Sequence, residues 1–263
     1  MFKKTILAFC LISLVSCDPD DDNGNSSSTN TDFSYFPLAV ANNWDYDVVT
    51  GTDTSSESLT VASVTGNSYT LTANPNTPVG FMTRILSGGA LEAVSGKLIG
   101  NGTIDFGLQG LNNFNVTITN GTLYDQNASA DTELYSTTGS TTQTVQSFDL
   151  DINYEVTTVQ QAEVAQMTVE GISYTEVIHS QLIINASITT DVSIAGFTQQ
   201  VPLLAPQDVI VIDNYWAKDI GLIKSENQLD YMLEDFSSLG VTLPVPQSAQ
   251  ILTVQNLTGY TVN

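Results

Sequence analysis

The chain has 263 residues, of which 28 are acidic and 6 are Lys or Arg, and its formal net charge is −22. This charge disfavours nucleic acid and anionic membrane surfaces as partners, whereas a hydrophobic content of 41% is typical of a folded globular protein rather than a disordered one. Two Cys and one His are too few for a zinc ribbon, a Cys–His nucleophile pair or a disulfide scaffold, so we expect no metal or other cofactor.

The N-terminal segment MFKKTILAFCLISLVSC is typical of a secretory signal. Its apolar stretch, Ile6 to Val15, is too short to span a bilayer, since a spanning helix needs about 20 residues. The segment ends in Leu14-Val15-Ser16-Cys17, which resembles the lipobox of bacterial lipoproteins. The resemblance implies that residues 1–16 are removed and that a diacylglycerol on the Cys17 thiol anchors the protein in a membrane. The alternative is an ordinary secretory signal with a Cys near its end.

An acidic and polar segment, residues 17–32, follows the signal. Beyond the Cys its only apolar residue is Pro19, so it cannot bury enough surface to offset the entropy of ordering. We therefore predict a flexible tether that leads to a single β domain, residues 33–263. The first acidic residues alternate as in an EF-hand loop, but Asn23 and Thr29 occupy the positions of the required Gly and Glu, so we expect no calcium site.

Three consecutive aspartates lie close behind the lipidated Cys: Asp20, Asp21 and Asp22. They resemble the export signal of surface lipoproteins from Bacteroidetes-type bacteria. The resemblance implies an outer-membrane lipoprotein that is exposed at the cell surface. A periplasm-facing membrane is the alternative location, because Asp directly after the Cys retains lipoproteins at the inner membrane in other bacterial groups.

The body of the chain is dominated by alternation of apolar and polar residues. In residues 172–194 the even positions are mainly apolar and the odd positions mainly polar, as in a strand with one buried and one solvated face. A straight strand of this length would span about 75 Å, far beyond the usual size. Because a two-residue turn would shift the phase, we expect one long bent or bulged strand, or two strands joined without loss of phase. Residues 148–157 alternate in the same phase.

Shorter alternating runs predict further strands at Trp44–Val48, Leu59–Val61, Tyr69–Leu71, Phe81–Ile85 and Phe114–Ile118. The continuous apolar run Val209–Ile212 predicts a strand covered on both faces. Turn signals occur at Thr65–Ser68, Ser87–Gly89, Ser95–Gly96, Gly100–Gly102 and Asn120–Gly121, the last with the arrangement of a tight hairpin. Helical spacing is clear only at Leu229, Met232, Leu233 and Phe236, which predicts two or three turns of helix.

These patterns together predict an all-β fold. We expect a single antiparallel curved sheet, half-barrel or sandwich-like, with at most short helices. A transmembrane β-barrel is disfavoured, because the runs are unequal in length and lack recurring aromatic girdles.

Two motifs frame the predicted domain: Phe36-Pro37-Leu38 with Asn43-Trp44-Asp45-Tyr46, and the segment YWAKDIGLIK at 215–224. Together with residues 167–183 they resemble a group of Bacteroidetes lipoproteins, from which this chain departs at Ala41, where that group often has Gly, and at Asp219, where Gly is usual. The resemblance implies a half-barrel sheet broadly similar to the lipoprotein carriers LolA and LolB. That group has no assigned catalytic residues, so the resemblance implies an architecture and a location but no reaction.

The residues of these motifs also have a direct physical interpretation. Aromatic side chains at strand positions bury large areas, so we expect Trp44 and Trp216 in the core; the alternative is that they line a ligand cleft. Gly221 is expected to allow a bend or a close backbone approach. Lys218 and Lys224 are expected to be ion-paired, because the chain is strongly acidic.

Few residues suggest catalysis. His179 lies on the polar phase of the long strand and is expected to be a solvated surface residue. Two carboxylate pairs, Asp149 with Asp151 and Asp45 with Asp47, lie at i,i+2 on one strand face, about 7 Å apart and near the separation of an inverting glycosidase. With 28 acidic residues such pairs arise by chance, so we expect no enzyme.

We therefore predict a non-catalytic binding or structural module whose protein or glycan partner the sequence does not identify. One alternative is a carrier of a lipid or another hydrophobic ligand, which requires a continuous apolar cavity. The other is a glycan-binding or glycan-active protein, which requires an exposed Trp or Tyr beside paired carboxylates.

Overall fold

The computed structural model describes residues 35–105, 115–145, 148–194, 197–235 and 246–263. The signal segment, the tether, Cys17 and Asp20, Asp21 and Asp22 lie outside these residues, so the structure does not address the predictions made for them. The described residues form one antiparallel sheet of 13 strands and one short helix. The predicted all-β class is therefore confirmed.

The helix α1 spans Phe81–Ser87, between β3 and β4. The strands are β1 (Asn43–Thr50), β2 (Asp53–Thr65), β3 (Ser68–Asn74), β4 (Ala90–Val94), β5 (Lys97–Asp105), β6 (Asn115–Asp125), β7 (Thr132–Val145), β8 (Phe148–Gln160), β9 (Val164–Val169), β10 (Ile172–Ile194), β11 (Phe197–Ala217), β12 (Gly221–Met232) and β13 (Ser248–Thr261). Their order across the sheet is β6-β5-β4-β3-β2-β1-β13-β12-β11-β10-β8-β7, and β9 pairs with β10 outside this path. The first and last strands, β1 and β13, are neighbours.

The sheet curves until its edge strands, β6 and β7, approach each other. The Tyr135 ring of β7 lies 3.7 Å from the position that a Cβ on Gly121 of β6 would occupy. The Asp125 amide at the end of β6 donates to Gln160 Oε1 of β8 at 3.2 Å. The result is a nearly closed, barrel-like sheet with the apolar side chains inside.

The long alternating segment forms one strand, because β10 runs without interruption from Ile172 to Ile194. Every even residue from 178 to 192 is buried, as predicted. The odd residues 179–189 are half-buried rather than exposed, because β8 and β11 flank the strand on both sides. The alternation is less regular at the start of β10, where Glu176 has a φ of 52° and is exposed, Tyr174 is buried and Ile172 is 49% exposed.

Two predictions of element type are wrong. The segment predicted as a strand at Phe81–Ile85 forms α1, in which Phe81, Met82, Ile85 and Leu86 are buried. These four positions share one helical face, and a run this short fits both periods. The predicted helix at 229–236 is wrong as well, because Leu229–Met232 form the end of β12, paired with Ser248–Ile251 of β13. Phe236 lies outside the described residues.

Two predicted turns are bulges. Gly100–Gly102 lie inside β5 and Asn120–Gly121 inside β6, where Gly100 pairs with Gly121 and Gly102 with Ile118. Asn120 has a φ of 54°, as a turn would require, but the strand continues on both sides of it. The turn residues therefore serve to bend two adjacent strands.

Candidate functional site

The two framing motifs meet at one end of the sheet, called the aromatic end, which contains Phe36, Trp44, Tyr124 and Trp216. The Phe36 ring stacks on Trp44 at 4.5 Å between centroids and meets Trp216 edge-on at 5.7 Å. Tyr124 lies 5.1 Å from Trp216. Both tryptophans are 0% exposed, so the prediction that they belong to the core is confirmed. They offer no platform for a sugar ring.

Hydrogen bonds fix this cluster to the turn between β11 and β12. Trp44 Nε1 donates to the Ile220 carbonyl at 2.6 Å, and the Tyr46 hydroxyl donates to the Leu222 carbonyl at 3.1 Å. Between these acceptors Gly221 has a φ of 126°, and a Cβ there would lie 2.7 Å from Trp44 Nε1. The predicted close backbone approach at Gly221 is therefore present.

Ala41 and Asp219, the two positions at which the sequence resemblance implies Gly, both have left-handed backbones. Their φ angles are 71° and 60°. Glycine adopts such angles without strain, whereas a residue with a Cβ is held there at a cost of about 1 kcal/mol. The structure thus explains why Gly suits these positions.

The lysines of the second motif are ion-paired, as predicted. Lys218 Nζ lies 3.1 Å from Glu176 Oε1, and Lys224 Nζ lies 2.7 Å from Glu226 Oε1. The hydrogen bond and the charge of Glu176 raise the pKa of Lys218. Both ion pairs are exposed to solvent, so each adds little to the stability of the fold.

The candidate carboxylate pairs form part of the outer surface. Thr144 Oγ1 donates to Asp149 Oδ1 at 2.6 Å, and Thr142 Oγ1 donates to Asp151 Oδ1 at 2.9 Å. In the other pair, Ser56 Oγ donates to Asp47 Oδ1 at 2.7 Å, while Asp45 is exposed. Asp47, Asp149 and Asp151 thus each accept a hydrogen bond from a hydroxyl on the neighbouring strand.

The structure places His179 differently from the sequence prediction. Its side chain is 18% exposed rather than fully solvated, and its Nε2 lies 2.7 Å from Asp213 Oδ1. The ring stacks on Tyr215 at 4.5 Å, and Gln181 Nε2 donates to the same Asp213 oxygen at 3.0 Å. Asp213 was not predicted to lie near His179; it is on the next strand, in direct register with Gln181.

This arrangement holds an imidazole against a carboxylate, as in an oriented general base. The neighbouring phenol is a poor nucleophile, because burial and the nearby Asp213 and Glu226 raise the pKa of Tyr215. Within the described part of the chain, no group of three or more His, Cys, Asp or Glu side chains could hold a metal ion. The His179 cluster joins β10 to β11 through the contact of His179 with Asp213.

A polar groove lies on the outer face of β7, β8 and β10, with a volume of about 440 Å³. Side chains with hydroxyl, amide and carboxylate groups line it: Thr138, Ser140, Asn153, Glu155, Asn185 and Ser187. Asn185 Nδ2 is already held by Asp208 Oδ1 at 2.8 Å. The groove is open and lined by groups that both donate and accept, so it suits a neutral polar ligand better than an apolar one.

An interior cavity lies between β5, β6 and β8, lined by Gly100, Ile118, Leu123, Val156 and Leu182 among others. Its volume of about 20 Å³ accommodates about one water molecule. Ligand pockets for small molecules span about 300–1,000 Å³. This cavity is therefore too small to hold a lipid chain.

The buried carboxylate of Glu57 was not predicted from the sequence. Glu57 is 3% exposed and its Oε1 accepts hydrogen bonds from the amides of Val79 and Gly80, the latter at 2.9 Å. Next to it Gln255 Nε2 donates to Thr83 Oγ1 at 3.0 Å. Glu57 lies in phase with the buried Leu59, which is the one signal that could have revealed it. Its contacts hold the start of α1 in the sheet.

Comparison with known proteins adds little. No family model and no curated protein matches the chain. Among solved structures, a "putative lipoprotein" from Parabacteroides distasonis ATCC 8503 matches with a TM-score of 0.39 and 8% identity, over 87% of this chain and 99% of that chain. This likeness is too low to establish a shared fold or function. Among the described residues, no helix is long and apolar enough to cross a membrane.

Proposed function

We propose that the chain is a lipoprotein anchored in the outer membrane and exposed at the cell surface, with a β domain that is a non-catalytic binding or structural module. The observation that carries the proposal is Leu14-Val15-Ser16-Cys17 directly after a short apolar stretch. The three aspartates that follow support the surface location.

Processing is tested by replacing the lipidated residue. The unaltered protein should lose residues 1–16, gain the mass of acyl chains and partition into detergent. Cys17→Ala should remain unprocessed or be released from the membrane. Cys10→Ala is the matched control, because this Cys lies within the removed segment and the mature product should be unchanged. An identical mature mass and detergent partitioning for Cys17→Ala would contradict lipidation.

Location is tested by replacing Asp20, Asp21 and Asp22 together with Ala and treating intact cells with external protease. A carboxylate cluster extends into water rather than resting on anionic headgroups, where an export machine can reach it. The unaltered protein should be cleaved and the variant protected. Replacing Ser26, Ser27 and Ser28 with Ala is the control and should leave cleavage unchanged. Protection of both proteins would place the chain inside the cell, and cleavage of both would place the sorting signal elsewhere.

The polar groove favours glycan binding as a second candidate function. Its amide and hydroxyl side chains can exchange hydrogen bonds with sugar hydroxyls, and a neutral sugar is not repelled by a net charge of −22. Titration calorimetry with neutral oligosaccharides should show binding that Asn153→Ala weakens. The exposed Asn67→Ala at the β2–β3 turn is the control. Binding that is equal in both variants would exclude this groove as the site.

A further inference from the structure

On the side of β7 away from β8, no strand of the described residues is hydrogen-bonded to it, and β6 approaches it near Tyr135. Along its whole length β7 pairs with β8, from Thr132 with Gln160 to Val145 with Phe148. None of its residues is buried, and Thr138, Ser140, Thr142 and Thr144 are exposed. We propose that two copies of this chain associate by antiparallel pairing of β7 with β7, which joins their sheets into one.

The direction of the backbone groups follows from the register. Thr190 Oγ1 of β10 donates to the Asp149 carbonyl at 2.8 Å, so this carbonyl points away from β7. Asp149 and its partner Thr144 therefore form a pair without mutual backbone hydrogen bonds. Because such pairs alternate along an antiparallel ladder, the even residues of β7 from 138 to 144 direct their N–H and C=O groups to the free edge.

This edge lacks the devices that normally prevent pairing. Proteins protect free edges with charges, prolines or very short strands. From Leu134 to Val145 the strand has neither a charged residue nor a proline, in a chain with a net charge of −22. Gly139, its only glycine, is covered by the Tyr154 ring of β8, since a Cβ there would collide with the Tyr154 hydroxyl. Among the described residues, no strand is paired with this uncharged edge along residues 138–144.

A second copy is the occupant that this edge fits. Antiparallel self-pairing about Ser140 places Ser140 opposite its own copy and Thr138 opposite Thr142 of the second copy, so these hydroxyl residues oppose one another. An edge without charge offers nothing that would select an acidic or basic peptide. The nearest carboxylates, Asp149, Asp151 and Glu155, lie one strand back on β8. Across the joined sheet they would face their counterparts at about 14 Å, three strand spacings, which exceeds the Debye length at physiological ionic strength.

Sedimentation of the full chain in mild detergent tests the association. The unaltered protein should be in reversible monomer–dimer equilibrium. Ser140→Lys places two ammonium groups near each other at the twofold axis and should raise the dissociation constant at least about tenfold. Thr117→Lys is the matched control, since this exposed residue lies on the other edge strand, β6, and should leave the equilibrium unchanged. A protein that is monomeric at every concentration, or a dimer that Ser140→Lys leaves intact, overturns the proposal.

Disulfide trapping tests the same pairing without relying on a loss of association. Opposed residues in an antiparallel pair have Cα atoms about 5.5 Å apart, within the range that a disulfide bridges. Among Thr138→Cys, Ser140→Cys and Thr142→Cys, the variant nearest the twofold axis should give a reducible dimer on oxidation. Thr117→Cys and the unaltered chain give the background, which includes Cys10 and Cys17. No dimer above that background, or trapping of another protein instead, overturns the proposal.

Discussion

Gly221→Ala tests whether the aromatic end holds the fold together. The new Cβ would meet Trp44 Nε1 at 2.7 Å and Phe36 Cδ2 at 2.9 Å, and the indole cannot retreat without lengthening its hydrogen bond to Ile220. Overpacking of this kind costs about 2 kcal/mol. The φ of 126° adds about 1 kcal/mol of backbone strain. A total of about 3 kcal/mol lowers Tm by about 6–12 °C in a domain of this size.

Gly66→Ala separates packing from backbone strain. Gly66 has a φ of 60°, and nothing lies within 4 Å of its Cβ position. This substitution should cost only the strain, about 1 kcal/mol, and lower Tm by about 2–4 °C. Thermal unfolding of both variants, followed by tryptophan fluorescence, gives the comparison. If the two variants melt at the same temperature, the close contact of Gly221 with Trp44 is not what stabilises this end.

Glu57→Ala should destabilise the protein by about 2–4 kcal/mol in denaturant titrations, because the amides of Val79 and Gly80 lose their acceptor; a loss below 1 kcal/mol would contradict this role. Ala41→Gly should leave stability unchanged or raise it by up to about 1 kcal/mol, since the left-handed backbone strain is relieved, and clear destabilisation would refute the strain. Burial raises the pKa of Tyr124 far above its usual value. Above about pH 10 the unfolded chain therefore loses the phenol proton of Tyr124 while the folded chain keeps it. The free energy of unfolding should fall with rising pH in this range, and less steeply in Tyr124→Phe. Equal slopes for the two proteins would contradict a raised pKa of Tyr124. Added salt should raise Tm by screening a net charge of −22, and a salt-independent Tm would mean that the carboxylates are too dispersed to repel each other.

The alternation of apolar and polar residues in the sequence predicted most of the strands. It located β8, and β10 from Ile178 to Val192, with the correct buried phase, because each position there faces either the interior or the outer surface. It failed at α1, where a run of seven residues is too short to distinguish two periods. It also failed at Asn120–Gly121, whose left-handed backbone suits a bulge as well as a hairpin. Local composition therefore indicated a bend but not whether the strand ends there.

The candidate site residues were harder to predict, since their proximity depends on strand register. The pairing of His179 with Asp213 joins residues of two strands, and no local pattern in either strand reveals it. The polar groove likewise combines three strands whose order is set by the whole sheet. By contrast, the core role of Trp44 and Trp216 was predictable, because large aromatic side chains at strand positions bury the most area.

The neighbouring position of β1 and β13 has a consequence for how the chain reaches its folded state. Trp44 binds the carbonyl of Ile220, and Tyr46 of β1 stands opposite Leu257 of β13. An N-terminal portion of the chain on its own therefore lacks the residues that pair with β1. Such non-local pairing makes folding slow, because the entropy of closing a long loop is lost before the stabilising contacts form. If the chain crosses a membrane from its N-terminus, β1 can pair with β13 only after nearly the whole chain has crossed. The chain therefore stays unfolded, as translocation requires, until that point.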